Sequence, residues 1–185
     1  MKRFIALCII IASVFIYPVL VNTYVVFIDK DNCRIWVIKD KRILIFFQNK
    51  FKSFVFPIAI GKDEKENKTP EGLFETTGKE ENYYWHPTKD QKRFYRKKGV
   101  ILSKAVKYDD PHNPWGSHRL RLNVTRIDGF PIYIHDTNEP SAIGKAVTSG
   151  CMRTRKKDMS VLYPLIKLKD KVKIVKSFPS RIKWL

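Results

Sequence analysis

Cys151 and His135 hold the most chemical promise in this chain. Cys151 follows Ser149-Gly150, and His135 stands 16 positions before it, the only histidine within twenty residues of that cysteine. A thiolate attacks an acyl carbon far better than a thiol does, so a nucleophilic cysteine needs a nearby base. Gly150 lets the backbone turn sharply, and the N–H groups of Gly150 and Cys151 at such a turn suit the oxyanion of a tetrahedral intermediate. The chemistry implied is acyl transfer through a thioester. A second reading competes: a cysteine that only packs in a core and a histidine satisfied in a loop. One Cys and one His, taken alone, favour that second reading. Metal chemistry finds no support. Cys8, Cys33 and Cys151 form no CxxC pair, and His86, His112 and His118 lack ligand spacing. No metal and no organic cofactor is expected. His112, beside Asn113-Pro114, is a candidate cleft residue, and Trp85 and Trp115 are candidates for either aromatic walls or core packing.

The elements that would position these residues read mostly as strands. Tyr24–Ile28, Arg34–Ile38 and Arg42–Phe47 are β-branched and aromatic, split by turn-like charged stretches. Residues 51–60 form a fourth candidate, with Pro57 marking an edge or a break. Residues 100–106 and His118–Val124 follow; the second alternates, with Leu120, Leu122 and Val124 on one face and Arg119, Arg121 and Asn123 on the other. Pro131–His135 delivers its last residue to a loop. Residues 156–168 have helical spacing at Met159, Leu162, Tyr163 and Ile166, with Pro164 a kink or an end. Residues 172–175 close as a strand. Residues 79–99 interleave aromatics with Lys89, Lys92, Arg93, Arg96, Lys97 and Lys98 and read as a loop or short helix flanking a site, or as a solvated charged face. Strands about ten residues apart argue for a β-sandwich or barrel.

With 185 residues the chain holds one domain and a short appendage. A hydrophobic content of 44% excludes disorder as its main description. The first 23 residues read as a signal anchor or signal peptide: Met-Lys-Arg precedes Phe4–Val21, which carries no charge. No A-x-A-like cleavage triplet follows, which favours an uncleaved transmembrane helix, with residues 24–176 as the domain and 177–185 as a basic tail. Lys2 and Arg3 favour a cytoplasmic N-terminus and a domain outside the inner membrane, on the periplasmic or extracytoplasmic side of a bacterial envelope. Lys and Arg number 36 against 18 Asp and Glu, a formal charge of +18, and setting aside Lys2 and Arg3 leaves +16. Outside the membrane such a charge points to anionic envelope polymers or a membrane surface, or to nothing beyond a soluble basic face. The export signal speaks against nucleic acid, the usual partner of such charge, and none is expected.

The segment from His135 to Arg153 also resembles the L,D-transpeptidase catalytic domain of the YkuD family. The family pattern is a His, fourteen to seventeen residues, then Ser/Thr-His-Gly-Cys, one residue, and Arg or Asn; here Thr148-Ser-Gly-Cys-Met-Arg153 fills the second half. Gly61 with Thr69-Pro-Glu-Gly-Leu-Phe74 looks like the family's G…TPxGxF stretch, and Asn113-Pro-Trp-Gly116 like its NPxG element. The resemblance covers about residues 24–175. It implies a mainly β, sandwich-like domain with one or two short helices. Cys151 would be the nucleophile, His135 the general base, and the Gly150 and Cys151 N–H groups part of the oxyanion hole. Arg153 would hold a carboxylate of a peptidoglycan stem peptide, with Asp136 and Ser149 also facing the substrate. The implied activity is formation of cross-links, or attachment of an acceptor amine. L,D-carboxypeptidase or other hydrolase activity on the same fold is an alternative, and an inactive cationic envelope-binding module is another. Two departures stand out. Ser149 replaces the family's usual His, and Asp136 replaces the Gly or Ser after the first His. A carboxylate at Asp136 lying close to the imidazole would raise the His135 pKa.

Overall fold

A computed structural model of the chain describes residues 32–49, 52–64 and 67–178. The signal segment, the Tyr24–Ile28 strand and the end of the tail lie outside the described residues. Among the described residues, no helix is long and apolar enough to cross a membrane.

The domain is mainly β with two helices. In chain order the elements are β1 (Ile35–Ile38), β2 (Ile43–Phe47), β3 (Ser53–Pro57), β4 (Ile60–Gly61), β5 (Gly72–Glu81), α1 (Lys89–Lys97), β6 (His118–Thr125), β7 (Pro131–Thr137), β8 (Ala146–Thr148), β9 (Met152–Arg155), α2 (Lys156–Leu165) and β10 (Lys171–Val175). Eight strands make one sheet in the order β3-β2-β1-β10-β5-β6-β7-β9, and β4 pairs with β8 in a second, two-stranded sheet.

β1 shows how the sequence specifies this arrangement. All four of its residues are buried. Alternation sends Ile35 and Val37 into the main core and Trp36 and Ile38 into a smaller cluster with Cys33 and Ile45. Cys33 is thus the small buried hydrophobe its strand pattern suggests. β5 joins the two halves of the large sheet. Its first part pairs with β10 and its second with β6, with the register shifting between Thr76 and Gly78. One core contains Val37, Leu44 and Phe56 from the first half, Leu120, Ile134 and Met152 from the second, and Met159 and Leu162 of α2. The two halves therefore face a common interior, which is the sandwich-like character the strand spacing suggests.

One expectation changes. Residues 100–106 are not a strand; only a single bridge joins Val106 to Trp85. Gly99 turns the chain at φ +78° and Ile101 is left exposed, so there is no face for alternation to bury. β5 has no apolar period because only Thr76 along it is buried; neighbours on both sides make it a strand. The 51–60 candidate splits at Ile58, leaving β3 at the sheet edge, where Pro57 is tolerated. The 79–99 stretch contains α1, capped by Thr88, whose hydroxyl accepts from the Gln91 N–H while the Gln91 side chain accepts from the Thr88 N–H.

Candidate active site

β7 and β9 run parallel, with His135 opposite Arg153 and Ile134 opposite Met152. Alternation sends Ile132, Ile134 and Met152 into the core, so Tyr133, His135 and Arg153 share the other face. Cys151 stands immediately before β9, and alternation continued by one residue directs it to the same face, beside Tyr133. β6 adds Arg119 and Arg121 to it, in register with His135 and Tyr133.

The imidazole of His135 is held rigidly. Its Nδ1 lies 2.8 Å from the Asp136 carbonyl oxygen and 3.2 Å from that of Trp115. Two carbonyl acceptors require a proton on Nδ1, which leaves Nε2 unprotonated and able to take one. The Trp115 ring stacks on the imidazole at 4.8 Å between centroids and 15° between planes. Burial pushes the His135 pKa down to about 3, Arg153 adds to the shift, and the two carbonyl bonds oppose it. Cys151 is 7% exposed. Burial pushes its pKa up to about 11, partly offset by the Tyr133 backbone amide and by Arg126, Arg153 and Arg119. The resting pair is thus neutral thiol and neutral imidazole.

The turn carrying Cys151 is fixed by two threonines. Thr148 Oγ1 donates to the Cys151 carbonyl at 2.6 Å and accepts the Gly150 N–H at 3.2 Å. Thr69 Oγ1 donates to the Gly150 carbonyl at 2.9 Å and accepts the Gly61 N–H at 2.8 Å. The TPEG segment therefore clamps the cysteine turn from outside. Gly61 allows that approach, since a Cβ there would stand 2.9 Å from the Gly150 Cα and nearer still to the backbone at Asn67 and Thr69. The Asn113-Pro-Trp-Gly element works on the base. Asn113 Oδ1 accepts the Trp115 N–H at 2.9 Å, and Thr137 Oγ1 donates to the Pro114 carbonyl at 2.7 Å, so the Trp115 carbonyl and ring meet His135.

The other expected site residues take these places. The carboxylate of Asp136 is buried and accepts from the His118 N–H at 2.7 Å and the Ser117 hydroxyl at 3.0 Å. It pins the turn before β6 and does not face the imidazole, whose pKa is lowered rather than raised; the residue after His135 on a strand points to the opposite face. The Gly150 N–H is engaged by Thr148, so it is not a free oxyanion donor. Ser149 is exposed beside the turn. Arg153 pairs with Glu139 at 2.7 Å, and its buried Nε has no partner among the described residues. His112 contacts Asp110 and the Tyr95 ring. Sequence reading missed Arg119. Its guanidinium lies 4.0 Å from the Tyr83 ring centroid, 4.7 Å from Tyr133 and 5.4 Å from Trp115, and its Nε donates to Glu80 at 3.0 Å. Its place on the polar face of β6 was legible; its register with His135 was not.

Comparison with known proteins identifies the family. The family model for the L,D-transpeptidase catalytic domain, YkuD, matches residues 23–174. YcfS of Escherichia coli is 31% identical over 138 residues, which are 75% of this chain and 42% of that protein. YqjB of Bacillus subtilis is 31% identical over 142 residues, 75% of this chain and 70% of that protein. Both carry L,D-transpeptidase names. The structure of the Ldtfm-avibactam carbamoyl enzyme superposes with a TM-score of 0.57 at 17% identity, covering 79% of this chain and 49% of that one. The chain belongs to the YkuD family of L,D-transpeptidase catalytic domains, a family that acts on the stem peptides of cell-wall peptidoglycan.

Proposed function

We propose that this chain is a cysteine L,D-transpeptidase of peptidoglycan, held at the outer side of the inner membrane by its N-terminal apolar segment. Cys151 Sγ attacks the carbonyl between residues three and four of a tetrapeptide stem, and His135 Nε2 takes the thiol proton. The negative oxygen is met by the Cys151 N–H. Collapse of the tetrahedral intermediate breaks the C–N bond, and the imidazolium returns its proton to the departing amino acid, leaving a thioester. An amine of a second stem or of an envelope protein then attacks, giving up its proton through His135 as the thiolate leaves. The observation that carries this reading is the Nδ1–H tautomer enforced by two carbonyls on the strand face shared with Cys151. Arg153 is the group for a stem carboxylate, since its buried Nε has a bond to give.

The test is covalent. Incubation with a carbapenem should add one inhibitor mass to the protein and none to Cys151→Ala. Disaccharide-tetrapeptide should then yield dimers. Tripeptide alone would mean hydrolysis. No adduct, with retained binding to anionic polymer, would mean a cationic binding module.

A further inference from the structure

A groove of about 390 Å³ opens between residues 68–71 and residues 125–127, with Ile132 at its floor. It contains neither Cys151 nor His135, yet it meets the nucleophile's turn. A Cβ on Gly150 would stand 3.0 Å from Ile132 Cδ1, 3.4 Å from the Lys68 carbonyl oxygen and 3.7 Å from Arg126 Cγ. Resting on the acyl-transfer reading above, we propose that this groove is the subsite for the part of the donor stem that stays on the sulfur, with Arg126 and Lys68 taking its carboxylates.

Two arguments carry the assignment. The first is direction. His135 must protonate the departing amine and later deprotonate the incoming one, so both amines use the same side of Cys151. Along β6 and β7 the His135 level is marked by Arg119, while Arg126 follows the opposite end, where Thr125 meets Pro131. The retained acyl chain must leave the sulfur away from the two amines, toward Gly150 and the groove. The second argument is chemical. Arg126 Nε is buried without a partner among the described residues, while its Nη2 meets the exposed Asp128 at 2.7 Å and the guanidinium lies 5.8 Å from the Phe130 ring centroid. Lys68 Nζ reaches Asp63 at 3.5 Å, with Asp63 90% exposed. Glu71, the acid of the groove wall and itself exposed, is held by Lys39 Nζ at 2.8 Å and more weakly by the charge of Lys68. A donor carboxylate therefore finds one unspent guanidinium donor and two cations whose present partners are solvated and weak. Ile127, 74% exposed at the rim, offers apolar surface to the peptide's methylene groups.

The full chain should be incubated with a tetrapeptide stem whose retained carboxylates are free and with the matching carboxamide analogue, reading thioester formation at Cys151 by mass spectrometry. The free acid should acylate roughly tenfold faster. Arg126→Gln should remove most of that preference by slowing the free acid alone, Arg126→Lys should restore part of it, and Lys68→Gln, at an exposed site, should reduce it. Equal slowing of both donors, or a raised KM for the acceptor amine alone, overturns the groove assignment. No adduct from either donor on the unaltered protein overturns the stem-peptide reading, and the groove assignment with it.

Discussion

His135 and Cys151 hold opposite shifts for one reason: both are buried, and burial favours the neutral form of each. With imidazole neutral above about 3 and thiol neutral below about 11, their combined protonation state does not change between those limits. Carbapenem acylation should therefore run nearly flat from about pH 5 to about pH 9, without the limb near 6.5 of an ordinary histidine. Stopped-flow fluorescence across that window would show it, and a limb near 6.5 would contradict the buried imidazole. The same shifts bear on stability. As pH falls from 6.5 toward 3, the unfolded chain binds a proton that buried His135 does not, so the stability present above 6.5 is lost on the way down. The Cys151 contribution is present below its ordinary 9 and lost as pH rises through about 11. Denaturant unfolding as a function of pH should show a shallower acid limb in His135→Gln. At this scale much was legible. The His–Gly-Cys spacing located nucleophile and base because residue type alone carries their chemistry. Asp136 was misread because its direction is set by strand alternation, and Arg119 was missed because cross-strand register is not written in local sequence.

Among the elements, the turn from β8 to β9 depends on a segment some eighty residues away. Thr69 spends its hydroxyl on both Gly61 and Gly150, so Thr69→Val keeps the volume but strands a buried N–H and a buried carbonyl. The expected cost is about 2–4 kcal/mol in thermal or chemical unfolding, with slower acylation, and Thr69→Ser should recover most of both. Gly150→Ala should destabilise by a further route, since φ is +114° and the new methyl meets Ile132 at 3.0 Å. The strands that read well, β1, β2, β6 and β7, each bury an alternating or continuous apolar row. β5 could not be read that way: Glu75, Thr77, Lys79, Glu80 and Glu81 carry no such row, and its strand character comes from its neighbours. α1 buries none of its residues, yet Tyr95 on it lies close enough to Glu139, the partner of Arg153, for that carboxylate to help burial raise the phenol's pKa. A helix without a core face is thereby tied to the candidate site.

For the whole molecule, a net +18 on 185 residues is a long-range field rather than a set of pairs. α1 concentrates part of it in Lys92, Arg93, Arg96 and Lys97, with Phe94 exposed among them. Replacing those four cations with Gln should weaken binding to an anionic wall polymer and flatten its dependence on salt, read by sedimentation at graded ionic strength. An unchanged salt response would put the polymer contact elsewhere. β10 has a different consequence at this scale. It is the last strand among the described residues, yet it lies between β1 and β5 and bonds to both. Until residue 175 has been made, β1 and β5 lack the strand that bonds to both. The nascent domain must stay open to its final stretch, and a chain cut short before that point would expose two raw strand edges instead of a closed interior.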